Sequence, residues 1–164
     1  MNSRKKIAVA IASAFVIIAA VAVSQGQSSK SSTPPEVEKA VLARLAEIQS
    51  AAQALDPDKV FSFVLENDAG ALAQNGKLFL TRQEALESTK QGFQGLQKVS
   101  YRFDEQHVTL LSPTVALVTG EGSSSATTDD GRTRTTRFAQ SVVFVLTKGE
   151  WKVFHSHRSF PPAQ

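Results

Sequence analysis

From Val37 onward the apolar positions first follow a helical rhythm and then, past Gly95, an alternating one. Val37, Val41, Leu45, Ile48, Ala52 and Leu55 recur every three or four residues, which predicts one apolar stripe on a helix of about five turns. Thr33-Pro-Pro-Glu36 supplies a cap, a proline for the first helical position and the acid of a capping box. Asp56-Pro57 ends that helix and can cap a short second one carrying Val60, Phe61 and Val64. Glu66 to Lys77 reads as irregular, with a turn at Asn75-Gly76. Thr81-Arg-Gln-Glu84 is a second capping box, opening a helix with Ala85, Leu86 and Thr89 on one side; Gly92 and Gly95 close it.

The alternating half begins with Val99, Tyr101 and Phe103 pointing one way. After Asp104–His107 the apolar set moves to Val108 and Leu110, a phase change that predicts a bulge and a bent sheet. Val115 to Ser125 is the next strand, Thr128-Asp-Asp-Gly131 a hairpin turn, and Arg132 to Thr147 a long strand. A three-residue turn at Lys148–Glu150 leads into a last strand from Trp151 to Phe160, stopped by Pro161-Pro162. Helices first and long antiparallel strands afterwards predict an α+β fold, with helices on one face of a curved, mainly antiparallel sheet of four to six strands.

The residues before this domain carry a different message. NSRKK at residues 2–6 is basic, and the seventeen residues from Ile7 to Val23 contain no charge and no proline. That is longer than the usual ~7–15 residues of a signal peptide's apolar region and reaches the lower end of the ~17–25 that span a bilayer. Two readings follow: a signal peptide over 1–24, cleaved after Ser24 or Ala22, or an uncleaved anchor at 7–23. Either one puts the rest of the chain outside the cytoplasm, periplasmic, secreted or held at the membrane. Residues 25–33 then form a polar, serine-rich tether, and the folded domain is expected over 34–164.

Composition changes the picture in two places. The absence of cysteine excludes a disulfide framework, thiolate metal sites and a cysteine nucleophile. The net charge of +3 hints at nucleic acid, but Arg4, Lys5 and Lys6 account for it, and without them 15 basic residues face 15 acidic ones. Arg132, Arg134 and Arg137 adjoin Asp129 and Asp130 with no interleaved aromatics, so a solvated strand face fits them better than nucleic-acid contact. No phosphate-cradling glycine loop, Gly-x-Ser-x-Gly or His-Glu-x-x-His occurs, and no cofactor is implied.

The closing segment, Gly149-Glu-Trp-Lys-Val-Phe-His-Ser-His-Arg-Ser159, resembles the last strand of the SnoaL-like (nuclear transport factor 2-like) superfamily and of the calcium/calmodulin-dependent protein kinase II association domain. Asp130-Gly131 through Arg134 is similar to that domain's preceding hairpin, and the likeness spans roughly residues 36–160. The resemblance implies a cone-shaped roll of three helices in a bent sheet, with a pocket at its wide end. Its members include isomerases, dehydratases, hydrolases, non-catalytic binding modules and oligomerisation hubs, so the fold leaves the function open. It also implies a pocket arginine at Arg158, while the association domain's second pocket arginine falls at Val142.

A three-residue turn would pair Phe144 with Phe154, Val142 with Ser156, Gln140 with Arg158 and Phe138 with Phe160. That face is apolar with a few polar groups near one end, the usual build of a small-ligand pocket. Arg158, Gln140, Ser156, Tyr101 and Phe154 are therefore the candidate ligand-binding residues; the plainer alternative for Arg158 is a strand-end cation reaching water. His155 and His157 share a face as a metal pair would, but a metal needs further ligands. Only His107 remains, so structural histidines near Trp151 are the better reading and no metal is expected. Tyr101, Asp68 and Glu121 are the candidates for a pocket acid or base, though none sits in a motif. Three functions follow: a module binding a small, mostly apolar ligand, with a carboxylate against Arg158 as one option; a cofactor-free isomerase, dehydratase or hydrolase; or a homodimeric or larger assembly module.

Overall fold

A computed structural model describes residues 33–161. The basic and apolar N-terminal stretch, with its cleavage sites, and most of the tether lie outside the described residues. No helix among the described residues is long and apolar enough to cross a membrane.

Three helices and six strands follow one another in the described chain: α1 (Pro35–Gln53), α2 (Pro57–Ser62), β1 (Leu72–Gln74), β2 (Lys77–Phe79), α3 (Arg82–Phe93), β3 (Leu96–Ser112), β4 (Val115–Thr128), β5 (Thr133–Thr147) and β6 (Glu150–Ser159). The strands form one mixed sheet in the order β2-β1-β6-β5-β4-β3. All neighbours are antiparallel except β1 and β6, which run parallel. The α+β class and the curved, mainly antiparallel sheet are as the periodicity predicts.

The apolar stripe of α1 buries Val41 and Leu45 against Ala116, Val118, Val142, Phe144, Trp151 and Val153. A second cluster gathers Phe61, Ala71, Phe79, Ala85 and Leu86 around α2, α3 and the β1–β2 hairpin. Asp56 caps α2 by accepting from the Lys59 amide at 2.8 Å. At α3 the capping box is complete: Thr81 Oγ1 accepts from the Glu84 amide, and the Glu84 carboxylate accepts from the Thr81 amide. Thr81→Ala is expected to cost about 1 kcal/mol, seen as a lower urea midpoint with an unchanged slope.

The first capping box does not form. Pro34 occupies the cap position of α1 without a side-chain bond. The Thr33 hydroxyl is instead tied to β3, donating to the Val108 carbonyl and accepting from the Leu110 amide. The open backbone groups of that edge strand outcompete the helix end. Leu55, the last member of the stripe, lies beyond the helix with φ of 55°.

The stretch expected to be irregular contains the β1–β2 hairpin, closed at Asn75-Gly76 with both residues at positive φ. Three-residue strands are too short to show alternation. Their partner is β6, more than eighty residues away, bonded to β1 from Leu72–Ser156 to Gln74–Arg158.

At the other end of β6, the β5–β6 turn is two residues, Lys148-Gly149, both at positive φ, so Thr147 pairs with Glu150 rather than Trp151. A bulge between Val143 and Phe144 then absorbs one residue of β6. Phe144 consequently pairs with Val153, while Val142 still meets Ser156 and Gln140 meets Arg158. Phe154 is the residue displaced, and the ladder ends at Ala139–Ser159, before Phe138 and Phe160 could pair.

The curvature comes from β3 and β4. Their register shifts between Phe103 and Glu105, where Asp104 is the extra residue. Opposite this bulge lie Gly122, paired with Phe103, and Gly120, paired with Gln106. A Cβ on Gly122 would stand 2.1 Å from the Arg102 carbonyl oxygen, and one on Gly120 would stand 2.7 Å from that of Glu105. The sheet bends sharply because β3 lies down on two residues that have no side chain.

Candidate functional site

The two apolar clusters are joined through Val64, which packs against both. Between them lies a cavity of about 590 Å³, walled by Leu45, Val142 and Val153 of the first and Phe61, Ala71 and Phe79 of the second. Exposed lining residues mark its mouth: Asn75 and Lys77 at the β1–β2 turn and Gly92 at the end of α3. The concave face of β3 contributes Val99, Tyr101 and Phe103, as their shared parity predicts.

Arg158 reaches this space from β6. Its position is set by the register, which places it between Gln140 on β5 and Gln74 on β1. The guanidinium packs 5.1 Å from the Tyr101 ring and 5.0 Å from the Phe138 ring. Phe138 is in turn held edge-on by Tyr101 and by Phe103, at 6.4 and 5.2 Å. Nη2 donates to Gln140 Oε1 at 3.0 Å, and Gln140 Nε2 donates to Ser156 Oγ at 3.1 Å. This chain fixes the amide's orientation and the plane of the guanidinium.

Arg158 Nε is buried and has no hydrogen-bond partner. No Asp or Glu lies within ion-pair distance of Arg158 among the described residues. Among the described residues, the cavity lining contains neither a carboxylate nor a histidine. A buried donor left unused is a cost to the folded chain unless something completes it. Gln49, on α1, is the second lining residue with such an atom: its Nε2 is also buried and unpartnered.

The candidate residues divide accordingly. Arg158, Gln140, Ser156 and Tyr101 all line the cavity. Phe154 does not: the bulge turns it out of the wall and leaves it 39% exposed. Phe154→Ser is expected to leave binding of any cavity ligand within about twofold of wild type, by calorimetry, as suits an exposed site away from such contacts. The candidate bases Asp68 and Glu121 are also outside. Asp68 is exposed in the segment before β1, and Glu121 is paired with Arg137 at 3.1 Å on the convex face.

His155 and His157 share that convex face. His155 Nδ1 donates to the Gly70 carbonyl at 2.7 Å, His157 is exposed, and His107 pairs with Glu105. No group of three metal-ligating side chains occurs among the described residues. Of the basic run, Arg132 pairs with Asp130 and Arg137 with Asp104 and Glu121. Hydrogen bonds from Thr128 and Arg132 hold the Asp130 carboxyl below its usual range.

Gln49, Gln74 and Lys77 line the cavity, and the sequence pattern points to none of them. Gln49 follows an apolar stripe residue, where a polar side chain reads as solvated; the other two depend on a hairpin that the sequence pattern conceals.

The pattern of the SnoaL-like domain matches residues 41–163. No curated protein matches the chain in sequence. Among solved structures, a candidate dehydratase of the nuclear transport factor 2-like family from Streptomyces avermitilis superposes with a TM-score of 0.71 at 18% identity, covering 79% of this chain and 100% of that one. A candidate calcium/calmodulin-dependent protein kinase II association domain from Xanthomonas campestris gives 0.67 at 18% identity, covering 76% and 87%. A ketosteroid isomerase-like protein from Erwinia carotovora atroseptica gives 0.66 at 17%, covering 79% and 100%. At these identities the likeness is one of fold.

Proposed function

The chain belongs to the SnoaL-like domain family, and from that premise we propose that it binds a small, mostly apolar ligand whose carboxylate is held by Arg158. One observation carries the reading: the Arg158 guanidinium sits against two aromatic rings at the cavity with a buried, unpartnered Nε and no acid in reach among the described residues. A planar fork of donors suits a carboxylate, which it can engage through two parallel bonds. Gln140 and Ser156 hold the fork in place, and the apolar walls receive the rest of the guest.

The enzyme reading, which the dehydratase and isomerase-like neighbours suggest, calls for a carboxylate base in the cavity. The described lining offers none, so binding is the function put forward. The roll is then a cone whose wide end is the mouth beside Lys77 and Gly92. The chain is exported through its basic and apolar N-terminal segment and works as a homodimer. Appearance of a carboxy-terminal reporter outside the cytoplasm tests export, and a monomer mass by sedimentation ends the dimer.

Titration calorimetry of the full-length chain tests the binding reading, with benzoate, a biphenylcarboxylate and decanoate each set against its primary amide. At least one acid is expected to bind ten or more times tighter than its amide, about the size of a charge-assisted hydrogen bond. Equal affinities throughout, or no binding at all, overturn the proposal.

A further inference from the structure

Leu45, Ile48, Gln49 and Ala52 all line the cavity from α1, at spacings of three and four that define one helical face. Three of the four are apolar, as a cavity wall requires. Gln49 is the exception, and its Nε2 is buried without a partner. A buried amide left unpaired destabilises the fold, which makes it the second place in this wall, with Arg158 Nε, where the protein holds a donor that it does not use.

The two donors stand at different depths. Gln53, one turn further along α1, has its Oε1 at 3.5 Å from the Tyr101 amide, and the Tyr101 ring packs on Arg158. Gln49 lies about 6 Å back along the helix axis from that level. It is one turn past Leu45, which belongs to the core with Val142 and Val153. Arg158 borders the hairpin that forms the mouth through its pairing with Gln74. A guest anchored at Arg158 and extended inward passes Gln49.

We propose that Gln49 is a second recognition point, and that the cavity selects carboxylic acids carrying a neutral hydrogen-bond acceptor, such as a ketone oxygen, on the part of the skeleton remote from the carboxylate. This rests on the Arg158 reading for the orientation of the guest. The side chain turns so that its amide donates to the remote oxygen, and an acid with an isosteric hydrocarbon group there leaves the donor unpaired and binds less well. The discrimination comes from that unpaired group more than from the bond itself.

The test uses isosteric pairs of acids on the full-length chain: para-acetylbenzoate against para-isopropylbenzoate, and the corresponding acetyl and isopropyl biphenylcarboxylates. Within at least one pair the acetyl acid is expected to bind about tenfold tighter to wild type. Gln49→Met is expected to bind both members alike, and to melt a few degrees higher because it removes the unpaired amide; Gln49→Leu serves if the methionine packs badly. In nitrogen-15 spectra of wild type, the Gln49 side-chain amide should shift with the acetyl acid and not with its partner.

Equal binding within both pairs, or a preference that survives loss of the amide, overturns the role of Gln49. Arg158→Met separates this from the parent reading. Uniform weakening of all four acids with no acetyl preference leaves Arg158 standing and removes Gln49. An acetyl preference that persists in Arg158→Met at undiminished affinity keeps the Gln49 amide as a donor to the guest, but overturns Arg158 as anchor and with it the two-point selection of acids. No binding by any acid overturns both.

Discussion

Arg158→Met is expected to weaken monocarboxylate binding by about a hundredfold, measured by calorimetry, with affinity for the matching neutral amides changed by less than about threefold. The magnitude follows from losing a hydrogen-bonded charge pair in a water-poor wall, where such bonds are strongest. Methionine keeps the length of the side chain and its contact with the Tyr101 and Phe138 rings, so the loss reports the guanidinium and not a collapsed pocket. Arg158→Lys should recover little, because an ammonium can neither present two parallel donors nor lie flat between Gln140 and the rings. The melting temperature of the methionine variant is expected not to fall. A buried Nε without a partner stabilises nothing that methionine would lose. A carboxylate affinity within about threefold of wild type would remove Arg158 from the site.

Gly122→Ala is expected to destabilise the domain by about 2–3 kcal/mol, through overpacking that neither strand can relieve alone. The new methyl group would meet the Arg102 carbonyl oxygen at 2.1 Å and the Phe103 Cα at 3.0 Å. Both are backbone atoms, so β3 must lift off β4 at its bulge. The lift carries Tyr101 and Phe103 away from Phe138, and so slackens the seat of Arg158 as well. Urea unfolding should show a lower midpoint, and carboxylate affinity should drop with it. Gly92→Ala is the control of opposite sign: nothing lies within 4 Å of the place its methyl would take, and the residue is helical. That change should stabilise by about 0.5–1 kcal/mol. A neutral Gly122→Ala would mean that the bend is not held by this close approach.

Much of this arrangement can be read from the chain because local chemistry and tertiary packing agree. Thr81 and Glu84 close a capping box whatever surrounds them, and the parity change after Phe103 demands a bulge in any sheet with one buried face. Arg158, Gln140, Ser156 and Tyr101 come together because alternation along β3, β5 and β6 fixes their side of the sheet. Reading fails where a distant partner decides. Thr33 is a sound cap by type, but β3 takes its hydroxyl. The β1–β2 hairpin exists because β6 has an edge to offer. Phe154 escapes the pattern for a subtler reason: a turn one residue shorter than expected is compensated by a bulge, so Val142–Ser156 and Gln140–Arg158 keep their expected pairing and the residue at the bulge is turned out.

If the cavity binds as proposed, mild acid acts on the occupant and leaves its berth alone, since neither a carboxyl nor an imidazole lines the cavity among the described residues. An acid guest that takes up its own proton, near pH 4 for an ordinary carboxyl, loses its hold on Arg158 while the walls stay as they were. Retention should then decline by up to about tenfold per unit of acidity until it levels off at the affinity of the protonated guest, on a schedule that shifts from one guest to another with the guest's own acid strength. On the proposed binding, it is the guest and not the wall that sets the pH of release.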